Sequence, residues 1–125
     1  MYDRIKGFRD FYPPEMAARR ETIDTVESVA RGYGFREIET PALESSRMYA
    51  DKSGEEILEE LYAFEDRGGR DIALTPELTP TVARMVVDRQ QALTKPIKWF
   101  STRPFWRYEQ VQQGRFREFY QTNVD

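Results

Sequence analysis

Two aromatic-rich runs constrain this chain more than anything else in it: Phe105-Trp106-Arg107-Tyr108-Glu109 and Phe116-Arg117-Glu118-Phe119-Tyr120-Gln121, separated by the polar residues 110–115. Aromatic side chains at this density suit a pleated, half-buried surface, so both runs are predicted to be strands of one hairpin. The connection is too long for a tight turn. Side chains alternate along a strand, which places Arg117, Phe119, Gln121, Asn123 and Asp125 on one face and Phe116, Glu118, Tyr120 and Val124 on the other. On the first strand Phe105, Arg107 and Glu109 share a face. One face therefore gathers charged and amide groups around a flat ring. A guanidinium fork matches a phosphate, a ring such as Phe119 can stack on a nucleobase, and Gln121 with Asp125 can hold a cationic amine. The plainer alternative is a solvated sheet face with cross-strand ion pairs.

The totals narrow the chemistry. At 125 residues the chain is one domain or part of one, long enough to bury a core. Nineteen basic and 22 acidic residues give a net charge of −3, which argues against gripping nucleic acid by bulk charge and leaves room for a local patch. With no cysteine and no histidine, disulfides, thiolate sites and imidazole metal sites are excluded within these residues. No run has the length of a membrane span and Met1-Tyr2-Asp3-Arg4 lacks the apolar core of a signal peptide, so a cytoplasmic protein is expected.

Upstream, Pro13 and Pro14 fit the first turn of a helix, with Asp10 a nearby cap candidate and Glu15 at the positive end. That helix is predicted to reach about Arg31 along a stripe of Met16, Ile23, Val26 and Ala30, stopped by Gly32 and Gly34. A strand over 35–39 ends at Pro41. Residues 45–61 are ambiguous, and the acidic run 55–60 reads as a short helix or a mobile loop. Segments 62–66 and 71–75 flank Arg67-Gly68-Gly69-Arg70, a hairpin signal. Thr79 and Pro80 read as cap and first turn of a second helix to about Ala92, followed by a strand over 97–101. The order predicts an α+β fold, an antiparallel sheet backed by helices. Because the alternation is still running at Asp125, a piece of a longer domain is expected.

These motifs resemble a known family. Phe105-x-Arg107-x-Glu109, Gly114-Arg115 and Arg117-Glu118-Phe119-x-Gln121 look like motif 2 of the class II aminoacyl-tRNA synthetases, and the helix ending at Gly34-Phe35, then Ile38 and Pro41, resembles their dimer-forming motif 1. Lys6-Gly7-Phe8-Arg9-Asp10-Phe11-Tyr12-Pro13, Tyr62-x-Phe64-x-Asp66 and Thr75-Pro76-Glu77-Leu78-Thr79-Pro80-Thr81-Val82-Ala83-Arg84 narrow the resemblance to histidyl-tRNA synthetases, in the family's order and over essentially the whole chain.

The resemblance implies the N-terminal portion of a class II catalytic core, with motif 3 and the anticodon-binding domain outside these residues. Glu77, Leu78 and Thr79 correspond to contacts around the histidine α-amino group, and Gln121 and Asp125 to further histidine contacts; Asp125 is shorter than the Glu of many members. Arg107 matches the catalytic arginine on the ATP α-phosphate and the substrate carboxylate. Glu109 matches the group that takes the adenine amine, Arg115 a group near the outer phosphates, and Phe119 the adenine-stacking ring. Implied partners are histidine, ATP carrying Mg2+, tRNA-His and a second copy through motif 1. Little synthetase activity is implied for the chain by itself. Read without the family, Glu77 and Thr79 could be merely a helix-capping arrangement, and Arg107 with Glu109 could be a cross-strand pair. A histidine-sensing paralogue like the ATP phosphoribosyltransferase regulatory subunit, or a prolyl- or threonyl-type synthetase, are the rival families.

Overall fold

The computed structural model describes residues 1–51 and 55–125. Helix α1 spans Pro13–Gly32, with its prolines in the first turn, where a missing N–H costs nothing. Its N-cap is Tyr12, which makes no side-chain capping bond; Asp10 instead faces Arg4 at 3.5 Å on the surface. The buried stripe is Ile23, Glu27 and Ala30, whereas Val26 is 42% exposed. The end is a Schellman motif: Gly34 adopts φ +86°, its N–H reaches Arg31 O (2.9 Å) and Phe35 N–H reaches Ala30 O (3.1 Å).

Two three-stranded sheets follow. Strands β1 (Arg36–Glu37), β5 (Trp99–Trp106) and β6 (Glu118–Val124) form the first, in the order β1-β5-β6. The pair β1–β5 is parallel and β5–β6 antiparallel, so the expected all-antiparallel sheet is corrected at this edge. Strands β2 (Leu43–Ser45), β3 (Ala63–Glu65) and β4 (Asp71–Leu74) form the second, antiparallel in the order β2-β4-β3. Two short helices, α2 (Arg47–Ala50) and α3 (Glu55–Glu60), lie in the stretch the pattern left ambiguous; residues 52–54 of it fall outside the described residues. Helix α4 spans Thr79–Arg89, three residues short of the expected end.

The strands expected over 97–101 and 105–109 are one strand, β5. Proline at position 104 hides that continuity. Trp99 and Asp125 exchange both backbone hydrogen bonds, and beyond the other end Arg107 N–H donates to Arg117 O, so the odd-numbered residues of β5 bond to β6 and the even-numbered ones face the other edge. Strand β1 covers that edge only beside Trp99 and Phe100, and Pro104 sits beyond it, where its absent N–H breaks no ladder bond.

Helix α1 packs against β5 and β6. The Arg31 guanidinium lies 5.1 Å from the Phe100 ring centre, and that of Arg19 lies 3.9 Å from Tyr120. That covers the even-numbered face. The odd-numbered face looks the other way, and around it Tyr49, Thr75, Leu78, Thr81 and Phe105 are fully buried. Phe119 and Gln121 of the site candidates are on this second face.

Candidate functional site

The ladder places Phe105 opposite Phe119 and Arg103 opposite Gln121. Directly paired residues share a face, so Arg103, Phe105, Phe119 and Gln121 form one patch. The rings of Phe105 and Phe119 are 6.4 Å apart and tilted by 32°; Phe105 is sealed in, while Phe119 is half-buried and keeps a side toward solvent. Arg107 follows the last strand residue. Its N–H reaches Arg117 O (3.0 Å), its guanidinium carbon stands 5.6 Å from the Phe119 ring centre, and its Nε donates to Pro76 O at 3.0 Å. With Nε engaged, the two Nη groups make no hydrogen bond among the described residues, and they remain the fork's open end.

The Pro76 contact joins the strand to the turn between β4 and α4. Trp106 N–H also donates to Thr75 O (3.1 Å), and Thr75 N–H to Ala42 O (3.0 Å). Glu77, Leu78 and Thr79 are therefore held beside Arg107 by a turn fixed at its first two residues. The capping alternative is overturned for Thr79: the N-cap is Leu78 in the αR region, without a side-chain capping bond, and Thr79 and Pro80 are the first two helical residues. Leu78 is buried, so its side chain packs beneath the site. Thr79 is exposed.

Glu109 departs from the strand alternation. Its N–H closes back on Arg107 O at 2.9 Å, turning the chain at Tyr108, so it does not continue the face of Phe105. Its carbonyl accepts a bond from Arg117 Nε (2.9 Å), and the Arg117 guanidinium lies 3.9 Å from the Tyr108 ring centre. Arg107 and Glu109 form no ion pair among the described residues, and Arg107 Nε is engaged by Pro76 O instead. The connection 110–115 contains the tight turn its length argued against: Gln112 and Arg115 bridge at 2.9 and 3.3 Å, with Gly114 at φ +78°. Arg115 is exposed beside that tip. Gln121 is exposed one same-face step beyond Phe119, whereas Asp125 pairs with Trp99 at the far end of the ladder. Asp125 lies six residue steps beyond Phe119, roughly 20 Å along a strand. The structure thus gathers Arg107, Phe119, Gln121 and the 77–79 turn, and sets Arg115 and Asp125 at opposite extremes.

The sequence reading passed over two residues of this region. Arg103 is 7% exposed, and its Nη2 donates to Thr75 Oγ1 at 2.9 Å. Burial pulls its guanidinium below the ordinary value, opposed by Tyr49, Glu39 and Glu44. Tyr49 is completely buried; burial first, then the Glu44 carboxylate, push its phenol above the ordinary 10, and nearby Thr81 tempers the shift without forming a well-aligned bond to the phenol oxygen. Glu44 itself is engaged by Arg84 (2.8 Å) and Thr81 (3.4 Å). The available signal for Arg103 is its spacing of two and four from Phe105 and Arg107, which a strand beginning at Phe105 leaves out.

The model of the histidyl-tRNA synthetase family matches residues 7–125. The chain belongs to that family. It is similar to the histidine–tRNA ligases of Natronomonas pharaonis, at 78% identity over 125 residues, and of Pyrococcus horikoshii, at 46%; each match covers all of this chain and 29% of the relative. The apo histidyl-tRNA synthetase of Staphylococcus aureus superposes with a TM-score of 0.81 at 28% identity, over 99% of this chain and 28% of that one. A Bacillus halodurans structure described as an ATP phosphoribosyltransferase regulatory subunit/histidyl-tRNA synthetase reaches 0.86 over 99% of this chain and 32% of that one. At 23% identity that likeness speaks for the fold alone. The chain thus has the class II synthetase α+β fold and spans about 29% of the length of the curated relatives it matches. No described helix is long and apolar enough to cross a membrane.

Proposed function

We propose that these residues are the N-terminal portion of a class II catalytic domain and supply the ATP- and histidine-gripping part of a histidine–tRNA ligase. The observation that carries this reading is Arg107: its Nε is fixed on Pro76 O, its planar group stands beside Phe119, and its Nη fork is left open next to the 77–79 turn. In the reaction, the histidine carboxylate attacks the α-phosphorus of ATP, an O–P bond forms, and pyrophosphate leaves with the electrons of the broken bond. Histidine then passes from the adenylate to the 3′ end of tRNA-His. The nucleophile belongs to the substrate, so the protein's task is to position and to neutralise charge.

The roles of the individual residues are those the family resemblance implies. The Arg107 fork bridges the attacking carboxylate and the α-phosphate, and because charge there is greatest in the transition state, the contact lowers the barrier more than it tightens binding. Phe119 offers its open side to adenine, and Glu109 takes the adenine amine. Glu77 and Thr79 hold the α-ammonium, above Leu78. Gln121, then Asp125, continue the contact line down β6 toward the imidazole. Arg115, on the exposed tip, reaches the outer phosphates. Magnesium would travel on the nucleotide phosphates and supply further charge neutralisation there. A cytoplasmic setting and pairing of two copies through α1 complete the reading. The standing of Arg107, Glu109, Arg115 and Phe119 together favours a ligase over a histidine sensor.

The test is calorimetric titration of the chain with non-hydrolysable histidyl-, prolyl- and threonyl-adenylate analogues. Selective binding of the histidyl analogue, lost in Arg107→Gln, is the expected result. Equal binding of all three, or binding of none by folded protein, would sink the reading.

A further inference from the structure

We propose that Arg103 is a positioning residue for the amino-acid half of the site, acting through Thr75; the inference rests on the reading just given for Glu77 and Thr79. Arg103 and Arg107 stand four residues apart on one strand face and bond to consecutive residues of the same turn: Arg103 Nη2 to Thr75 Oγ1 at 2.9 Å, and Arg107 Nε to Pro76 O at 3.0 Å. Glu77 is the next residue along. The two arginines thus form a two-point clasp on the segment that presents Glu77 and Thr79, and Arg103 is also opposite Gln121 across the ladder. It lies between the two sets of residues assigned to histidine.

Burial makes a purely packing role for Arg103 a poor account. Thr75 is 0% exposed and Arg103 only 7%, so this bond is sealed from water. No carboxylate forms an ion pair with Arg103 among the described residues, and its Nη1 is buried without a hydrogen-bond partner. The nearby Glu44 is engaged by Arg84, and the Arg103 guanidinium rests instead 4.6 Å from the Phe105 ring centre. A buried cation with one side-chain bond costs desolvation that an apolar residue of similar length would avoid. What the arginine adds is a rigid planar donor on Thr75, and through it a fixed path for the turn.

The experiment is a double-mutant cycle, R103M, T75V and the pair, with R103K as the conservative variant. Affinities for histidinol, which carries the ammonium and imidazole but no carboxylate, and for ATP are measured separately by calorimetry, with urea midpoints alongside. Each single variant is expected to weaken histidinol about tenfold while ATP stays within about twofold. The double variant should be no worse than the weaker single, because both lose one bond, and R103K should recover part of the loss. Equal losses for both ligands, losses that add in the double variant, or unchanged histidinol affinity would overturn the inference and leave the parent reading standing. Folded wild-type protein that binds no histidinol would instead overturn the parent reading, and this inference with it.

Discussion

Gly7 is where a single methyl group should do most damage. Its φ is +89°, and a Cβ built there would lie 2.6 Å from Arg117 Cγ and 2.8 Å from both Cβ and Cδ. These are the near atoms of a side chain held by Glu109 O and stacked on Tyr108, so they have little room to yield. Gly7 O also accepts bonds from Arg117 N (2.8 Å) and Glu118 N (3.2 Å), fastening the N-terminal segment to the start of β6. In Gly7→Ala, the left-handed backbone costs about 1–2 kcal/mol and the overlap about 1–3 kcal/mol, so a loss of about 3 kcal/mol is expected. With a urea slope of about 2 kcal/mol/M, the midpoint should fall by about 1.5 M.

Two other glycines calibrate that number. Gly114→Ala has the same sign of φ but open space around the new methyl, so only the backbone term of about 1–2 kcal/mol applies. Gly32→Ala, at the last residue of α1 with nothing within 4 Å, should stabilise by about 0.5–1 kcal/mol. The segment can also relieve the overlap by peeling away, at the expense of Arg9 over Phe116 (3.7 Å) and Arg19 over Phe11 (4.1 Å). In that event the amides of Arg117 and Glu118 lose their acceptor and exchange faster with solvent. The reasoning is refuted if Gly7→Ala is no more destabilising than Gly114→Ala; wild-type protection of those two amides would show that the segment stays seated and the overlap is carried in place.

Other expectations follow from the same geometry. Phe105→Ala empties a completely buried site between Phe119 and the Arg103 guanidinium, and should cost about 3–5 kcal/mol in a chemical-denaturation curve. Trp106→Phe removes the indole donor to Glu118 Oε2 (2.8 Å) while keeping most of the ring, and should lower stability by about 1–2 kcal/mol by the same assay. The Asp66 carboxylate accepts bonds from the backbone of Arg70 and Gly68 and from Arg70 Nε, which hold it below the usual 3.8. Its folded value is depressed, so its contribution is fully present above about pH 4 and lost as pH falls through the folded value. A carbon-detected NMR titration giving Asp66 an unshifted carboxylate would contradict this. Burial and the Glu44 charge hold the Tyr49 proton in the folded state. Stability should therefore decline as pH rises past about 10, where the unfolded phenol ionises, and Tyr49→Phe should flatten that decline.

Much of the site was legible because its signals are local. Side-chain alternation is a property of one strand, so Phe119 and Gln121 fell on their face without knowledge of any neighbour, and the glycine stop at Gly34 is set by its own backbone. The order of motifs fixed the family, and with it the fold. What alternation could not supply was where a strand stops: Glu109 leaves the ladder through a turn closed by its own N–H on Arg107, and Pro104, which argues for a break, is tolerated because β1 ends before reaching it. Thr79 looked like a cap since its type is right for one, yet the helix begins one residue earlier.

The sequence by itself thus determined the two longer helices, the two hairpins, the side-chain face of the last strand and the family, all of which depend on neighbours within a few residues or on motif order. Only the tertiary structure decided that Arg107 is pinned to Pro76, that Arg103 is buried on Thr75, and that Gly7 lies against Arg117. Those contacts join residues some 28 to 110 positions apart. They exist because two sheets, a helix turn and an N-terminal strap pack into one volume, and no local periodicity encodes which atoms then meet.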